Sequence, residues 1–152
     1  MKYLRKSSVG KNILLASLLS VVLAACSGEK PETMVASARD FMAKNDLKSV
    51  VIQAKNALQQ NPDLPEARYL LGLALLRSGD PVGAETELRK AQALKHPDDD
   101  VVPPLVEAML VQGKARKVVE EFAKTELSNP AAKAALQTSL YGAYAASGSG
   151  DK

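Results

Sequence analysis

Apolar positions along residues 31–152 are spaced three and four apart, never in the alternating manner that would make a sheet. In the stretch 65–98, Leu71, Leu75 and Leu76 mark one helical face, and Ala84, Leu88 and Ala91 mark a second. Gly79-Asp80-Pro81 stands between them. Glycine takes the left-handed conformation that ends a helix, aspartate caps the next, and proline fits its first turn. The pattern predicts an all-α chain built from pairs of antiparallel helices.

The pattern also repeats. At a step of 34 residues Asp46 recurs as Asp80, Ala57 as Ala91, Leu71 as Leu105, Ala74 as Ala108, Leu76 as Leu110 and Gly79 as Gly113. Glu87 and Lys90 recur as Glu121 and Lys124. A fixed period of this length is the signature of stacked two-helix units, each burying its apolar face against its neighbours. The units are expected at 31–64, 65–98 and 99–132, with a fourth first helix in 133–152 whose apolar stretch opens near Pro130. The third unit is looser. Pro103-Pro104 suit a first turn and not an interior, so its first helix is expected to start late.

Within each unit the small residues matter mechanically, because Gly72 and Ala84 let the two helices approach. These residues resemble the tetratricopeptide repeat (TPR). The unit at 65–98 carries its Leu71, Gly72, Leu75, Gly79, Ala84, Leu88 and Ala91, with Pro97 displaced by one and Arg68 where the pattern usually holds Trp. The first unit keeps Ala38, Phe41, Ala57 and Pro62; the third keeps Leu105, Gly113, Phe122 and Pro130. The resemblance implies a solenoid whose first helices line a concave groove for peptides or partner helices. Carried over by phase, the groove residues are Glu32, Val35, Arg39, Met42, Glu66, Tyr69, Leu73, Leu76, Arg77, Glu107 and Leu110. The fourth unit stops before a second helix, so the chain is expected to be the front of a longer array, or else to use that helix as its cap.

The first 25 residues have a different character. A basic start precedes an apolar run from Ile13 to Ala25 that is interrupted only by Ser17 and Ser20. This reads as a secretory signal, too short for a membrane span. Its end, Leu23-Ala24-Ala25-Cys26, resembles the bacterial lipobox, which implies cleavage after Ala25 and lipid on the Cys26 thiol, with 26–30 as a short tether. Cys26 is the only cysteine. Acyl chains contribute about 0.8 kcal/mol per buried methylene, so the chain is expected to be lipid-anchored, facing the periplasm. Ser27 rather than Asp after the cysteine favours the outer membrane by the same resemblance.

Composition then narrows the function. The formal charge is +3, but four basic and no acidic residues lie in the first 25 positions. The remainder carries 16 Lys and Arg against 17 Asp and Glu. With aromatics at 4% it has neither the basic surface nor the stacking platform of a nucleic-acid binder. One His and one Cys leave no metal-ligand set, no disulfide and no His-based catalytic set. His96 is expected to be a solvated loop residue. Asp98-Asp99-Asp100 is expected to cap the following helix and complement its dipole, and Glu120-Glu121 to lie on an exposed face. No catalytic residue, cofactor, metal or small-molecule substrate is expected; the partners are a protein or peptide in the groove and a membrane through Cys26.

The start of the mature chain narrows the resemblance. Cys26-Ser27-Gly28, Met34-Val35-Ala36-Ser37-Ala38-Arg39-Asp40-Phe41, Lys44-Asn45-Asp46, Val51-Ile52-Gln53-Ala54-Lys55-Asn56-Ala57-Leu58-Gln59, Asn61-Pro62-Asp63-Leu64-Pro65-Glu66-Ala67-Arg68 and Leu71-Gly72 look like the N-terminus of the TPR lipoproteins of the exosortase/PEP-CTERM sorting system. That likeness implies a non-enzymatic scaffold tied to PEP-CTERM protein sorting or exopolysaccharide export. Rival readings are a pilotin-like or outer-membrane assembly lipoprotein, or the TPR front of a longer enzyme.

Overall fold

A helix that ends in a left-handed residue can turn sharply, and three such residues lie 34 apart: Asn45 (φ 56°), Gly79 (φ 84°) and Gly113 (φ 73°). Each closes the same motif. The next N–H bonds back five residues, from Asp46 to Phe41 O (3.0 Å), Asp80 to Leu75 O (2.9 Å) and Lys114 to Met109 O (3.0 Å). These turns organise the computed structural model, which describes residues 29–148.

Among the described residues there are seven helices and no strand: α1 Pro31–Ala43, α2 Leu47–Gln60, α3 Pro65–Arg77, α4 Pro81–Ala93, α5 Asp98–Val111, α6 Ala115–Phe122 and α7 Pro130–Ser147. Consecutive helices pack against one another, and α1, α3, α5 and α7 also meet their odd-numbered neighbours. Prolines begin α1, α3, α4 and α7, where a missing N–H costs nothing. Asp46 accepts from the Ser49 N–H (3.2 Å) and Asp80 from the Gly83 N–H (2.9 Å), as their place before α2 and α4 predicts. At the equivalent third position stands Lys114, which provides no cap, and α6 is only 8 residues long. The looseness expected of the third unit therefore has a local cause.

Burial keeps the 34-residue phase through all four odd helices. Met34, Val102 and Leu136 are buried, with Arg68 half-buried in the same series; Ala38, Gly72 and Val106 are buried, with Leu140 half-buried. The apolar residues form two clusters. One joins α1, α2 and α3 around Ala38, Val50, Ala57 and Leu70. The other joins α4 to α7 around Leu88, Leu105, Met109 and Leu136. Tyr69 packs against both. A Cβ built on Gly72 would lie 2.6 Å from Leu88 Cγ and 3.3 Å from the Leu88 amide nitrogen, so only glycine permits the observed approach of α3 and α4.

The prolines of α5 overturn one expectation. The helix starts at Asp98, and Pro103 and Pro104 lie inside it. An interior proline costs about 3 kcal/mol. A start after Pro104 would leave Val101 and Val102 outside the helix; both are fully buried, each stabilising by about 1.5–3 kcal/mol. The first turn is further held from outside. Asp99 accepts from the N–H groups of Ser128 (2.8 Å) and Asn129 (3.1 Å), and Asp98 from Gln92 (3.1 Å). The aspartates thus sit in the first turn of α5, as expected from its dipole, but none caps it; they tie it to its neighbours. The last helix begins at Pro130, where the sequence opened the fourth unit, three residues before the boundary counted from the 34-residue step, and packs on both α5 and α6. Asn129 caps it, accepting from Ala131 N–H at 2.8 Å.

Candidate functional site

The residues expected from the sequence to line a groove recur along α1, α3 and α5 at the 34-residue step, and they are buried to different depths. Glu32, Arg39, Arg77 and Glu107 are exposed; Met42, Glu66, Tyr69, Leu73, Leu76 and Leu110 are half-buried. Val35 is buried, so it forms floor rather than contact surface. Met42 packs against the first cluster, and Leu76 and Leu110 against the second. Part of their surface is thus already used by the fold. Leu73 belongs to neither cluster.

Neighbouring helices contribute together. Arg39 of α1 donates from Nε to Glu66 of α3 at 2.8 Å, with a second contact from Nη2. Arg77 Nη1 lies 3.4 Å from Met42 Sδ. Beside the Arg39–Glu66 pair is a cleft of about 360 Å³, lined by Glu32, Val35, Ala36, Arg39, Leu64, Pro65 and Glu66. It combines an apolar floor with a charged rim, as a site for one anchoring side chain requires.

His96 is not the solvated loop residue the sequence suggested. Its ring stacks on Tyr69 with centroids 4.5 Å apart and planes 20° from parallel, and its side chain is 12% exposed. The Nε2 atom is buried without a hydrogen-bond partner among the described residues; Asp100 Oδ2 is 3.6 Å away. The chain turn that carries it there depends on Lys95 in the left-handed region (φ 67°), which aims the His96 N–H at Ala91 O (3.0 Å). Sequence spacing has no signal for a stack between residues 27 apart.

Burial pushes the His96 imidazole below its ordinary value, against the opposing influence of Asp100 and Glu66. The unfolded chain therefore binds this proton more readily than the folded one. The contribution to stability is fully present above the unfolded value of about 6.5 and is lost as pH falls from there through the depressed folded value. His96→Phe, which keeps the stack, is expected to flatten this part of the profile. Urea midpoints measured from about pH 7 down to about pH 5 check it; the same slope in both proteins would mean that the ring is solvated.

The even helices carry a structural ion network. Burial alone would raise the Glu85 carboxyl, but hydrogen bonds from Lys114 (2.6 Å), Gln112 (2.8 Å) and Arg89 (3.1 Å) outweigh it and hold it below the ordinary range. Glu87 is treated likewise by Lys90 (2.8 Å) and Arg68 (2.7 Å). Arg68 also donates to Pro62 O, which gives the position a role that its polarity did not predict from the repeat. Glu121 is exposed and pairs with Arg89 at 3.0 Å; Glu120 is exposed on the same helix.

Four residues in the register of the expected groove positions were not among those expected from the sequence: Asp100, Val111, Tyr141 and Tyr144. The signal was present in the period, since Asp100 follows Glu32 and Glu66, Tyr141 follows Leu73 and Glu107, and Tyr144 follows Leu110.

Among the described residues no three His, Cys, Asp or Glu side chains gather as a metal site would require. None of the described helices is long and apolar enough to cross a membrane. Ala25 and Cys26, the expected cleavage and lipidation positions, lie outside the described residues. No protein-family model matches the chain. A search of curated proteins likewise finds no match.

Proposed function

We propose that this chain is a lipid-anchored TPR scaffold facing the periplasm, outer membrane favoured, that holds a protein or peptide segment across its odd-numbered helices and performs no catalysis. The observation that carries the reading is the joint use of α1 and α3: Arg39 meets Glu66 and Arg77 meets Met42 on one face, beside a cleft with an apolar floor. A groove assembled from successive units at a constant step fits an extended or helical segment, with apolar anchors between charged contacts. The finer assignment is a scaffold of the exosortase/PEP-CTERM system, serving protein sorting or exopolysaccharide export. It rests on the likeness of the stretch from Cys26 to Gly72.

Two measurements test this reading. Cys26→Ser is expected to accumulate as unprocessed, unlipidated precursor, seen as a mobility shift and loss of labelled fatty acid; normal processing would remove the lipoprotein reading. A photo-crosslinking residue at Leu73 is expected to capture a partner in cells, while one at Thr86, exposed on α4, captures none. Equal yields from both positions would dismiss the groove.

A further inference from the structure

The large exposed apolar side chains of the odd-numbered helices lie in the groove register, whereas Ile52 and Val82 are exposed on the even-numbered α2 and α4. Tyr141 is 82% exposed, Val111 65% and Tyr144 37%. The inward positions of α7 keep the phase of the other odd helices: Leu136 and Ala143 are buried and Leu140 is half-buried against the second cluster. One turn around the helix from these, Tyr141 and Tyr144 take the places that Leu73 and Leu76 hold on α3, two periods earlier. The groove face therefore does not stop at α5.

Its charge is unbalanced. Glu32, Glu66, Asp100 and Glu107 stand at groove positions against Arg39 and Arg77, and Arg39 is taken up by Glu66. The carboxylates at 32, 66 and 100 recur in the first turns of α1, α3 and α5, while the first turn of α7 has none, so the acidic edge runs along the first three odd helices and leads up to the tyrosines of the fourth. No described acidic side chain pairs with Arg77, and Glu32 and Glu107 have no described basic partner.

We infer that the groove extends onto α7 and takes a basic segment, one with Arg or Lys set between aliphatic side chains, for which Tyr141 and Tyr144 are the platform. The inference rests on the groove reading above and names the chemistry of its occupant. Two independent features favour that chemistry. Acidic residues spaced along a face complement cations spaced along a chain. An exposed tyrosine ring also offers a negative face to guanidinium or ammonium while its edges accept aliphatic contact. An acidic segment would meet the carboxylates without neutralising them and would leave the tyrosines no cation.

The test uses the full chain in a nonionic detergent and two fluorescein-labelled synthetic peptides. One alternates Arg and Leu; the other carries Glu at every Arg. Fluorescence anisotropy is expected to show the Arg peptide binding at least about tenfold more tightly, with affinity falling as salt rises and screening shortens. Tyr141→Ala should weaken it about fivefold with unchanged circular dichroism, since the ring is exposed, and Tyr141→Phe should restore it. Glu107→Gln should weaken it about threefold. If the Glu peptide binds as well or better, and Leu73→Glu abolishes that binding, the groove stands and the basic occupant is overturned. If Tyr141→Ala binds the Arg peptide like the parent while Leu73→Glu does not, the extension onto α7 is overturned. If neither peptide binds, or Leu73→Glu changes nothing, this inference and the groove reading fall together.

Discussion

Gly72→Leu is expected to abolish the cooperative urea transition of the chain or to lower its stability by about 3 kcal/mol or more. The site already excludes a Cβ: Leu88 Cγ would lie 2.6 Å away and the Leu88 amide nitrogen 3.3 Å. Leu88 is fully buried, so its side chain has nowhere to retreat, and the backbone nitrogen belongs to α4 itself. Over-packing a filled core costs about 1–3 kcal/mol, and more when a backbone must move. The helical propensity gained by losing a mid-helix glycine is about 1 kcal/mol, too little to offset it. Against a domain stability of about 5–15 kcal/mol the change is severe. Leu88→Ala in the same chain should recover part of the loss by opening the space. Circular dichroism during urea titration decides the matter. A parental midpoint for Gly72→Leu would mean that α3 and α4 do not approach as described.

The second large effect is expected at Leu105, which is fully buried in α5 within the cluster that joins α4 to α7. Leu105→Ala should cost about 2–5 kcal/mol, the combined loss of transfer free energy and of packing around the cavity left behind. Leu73→Ala supplies the contrast. Leu73 is half-buried and outside both clusters, so its truncation should cost less than about 1 kcal/mol while removing a groove contact. Equal destabilisation by the two would place Leu73 in the core and take it out of the groove. Both residues lie in odd-numbered helices, at positions two apart in the repeat phase; the pair therefore tests the facing of those helices directly.

How much of the fold is legible in the sequence follows from the range over which each signal acts. Turn chemistry is local. Gly79, Asp80 and Pro81 specify a helix end, a cap and a first turn within three residues, and the structure places each in that role. Helical faces are legible for the same reason: the spacing of Leu71 and Leu75 in α3, and of Ala84, Leu88 and Ala91 in α4, is set by the geometry of a single helix and needs no knowledge of its neighbours. The period of 34 carries that reading from unit to unit. It succeeds for Gly113, and it applies equally to Tyr141 and Tyr144, which share the register of Leu73 and Leu76 and whose exposure became plain only with α7 in position. Proline is the misleading local signal. Its preference for a first turn is outweighed at Pro103 by the burial of Val101 and Val102, which depends on what α4 and α7 bring beside them.

The residues of the sequence by themselves determined the helical class, the step of the repeat and the turns, because each is written in spacings of a few residues or in an exact recurrence. Tertiary structure alone decided which of the residues in the groove register remain available. Val35 sinks into the first cluster, Leu110 leans on the second, Leu73 is half-buried outside both, and Tyr141 stays open. It also decided that His96 would stack on Tyr69 and that Arg68 and Glu87 would pair, contacts between side chains 27 and 19 residues apart. Such contacts depend on how closely two helices approach. That approach is set by the summed volume of everything packed between them, from Gly72 to Leu88, and no single position encodes it.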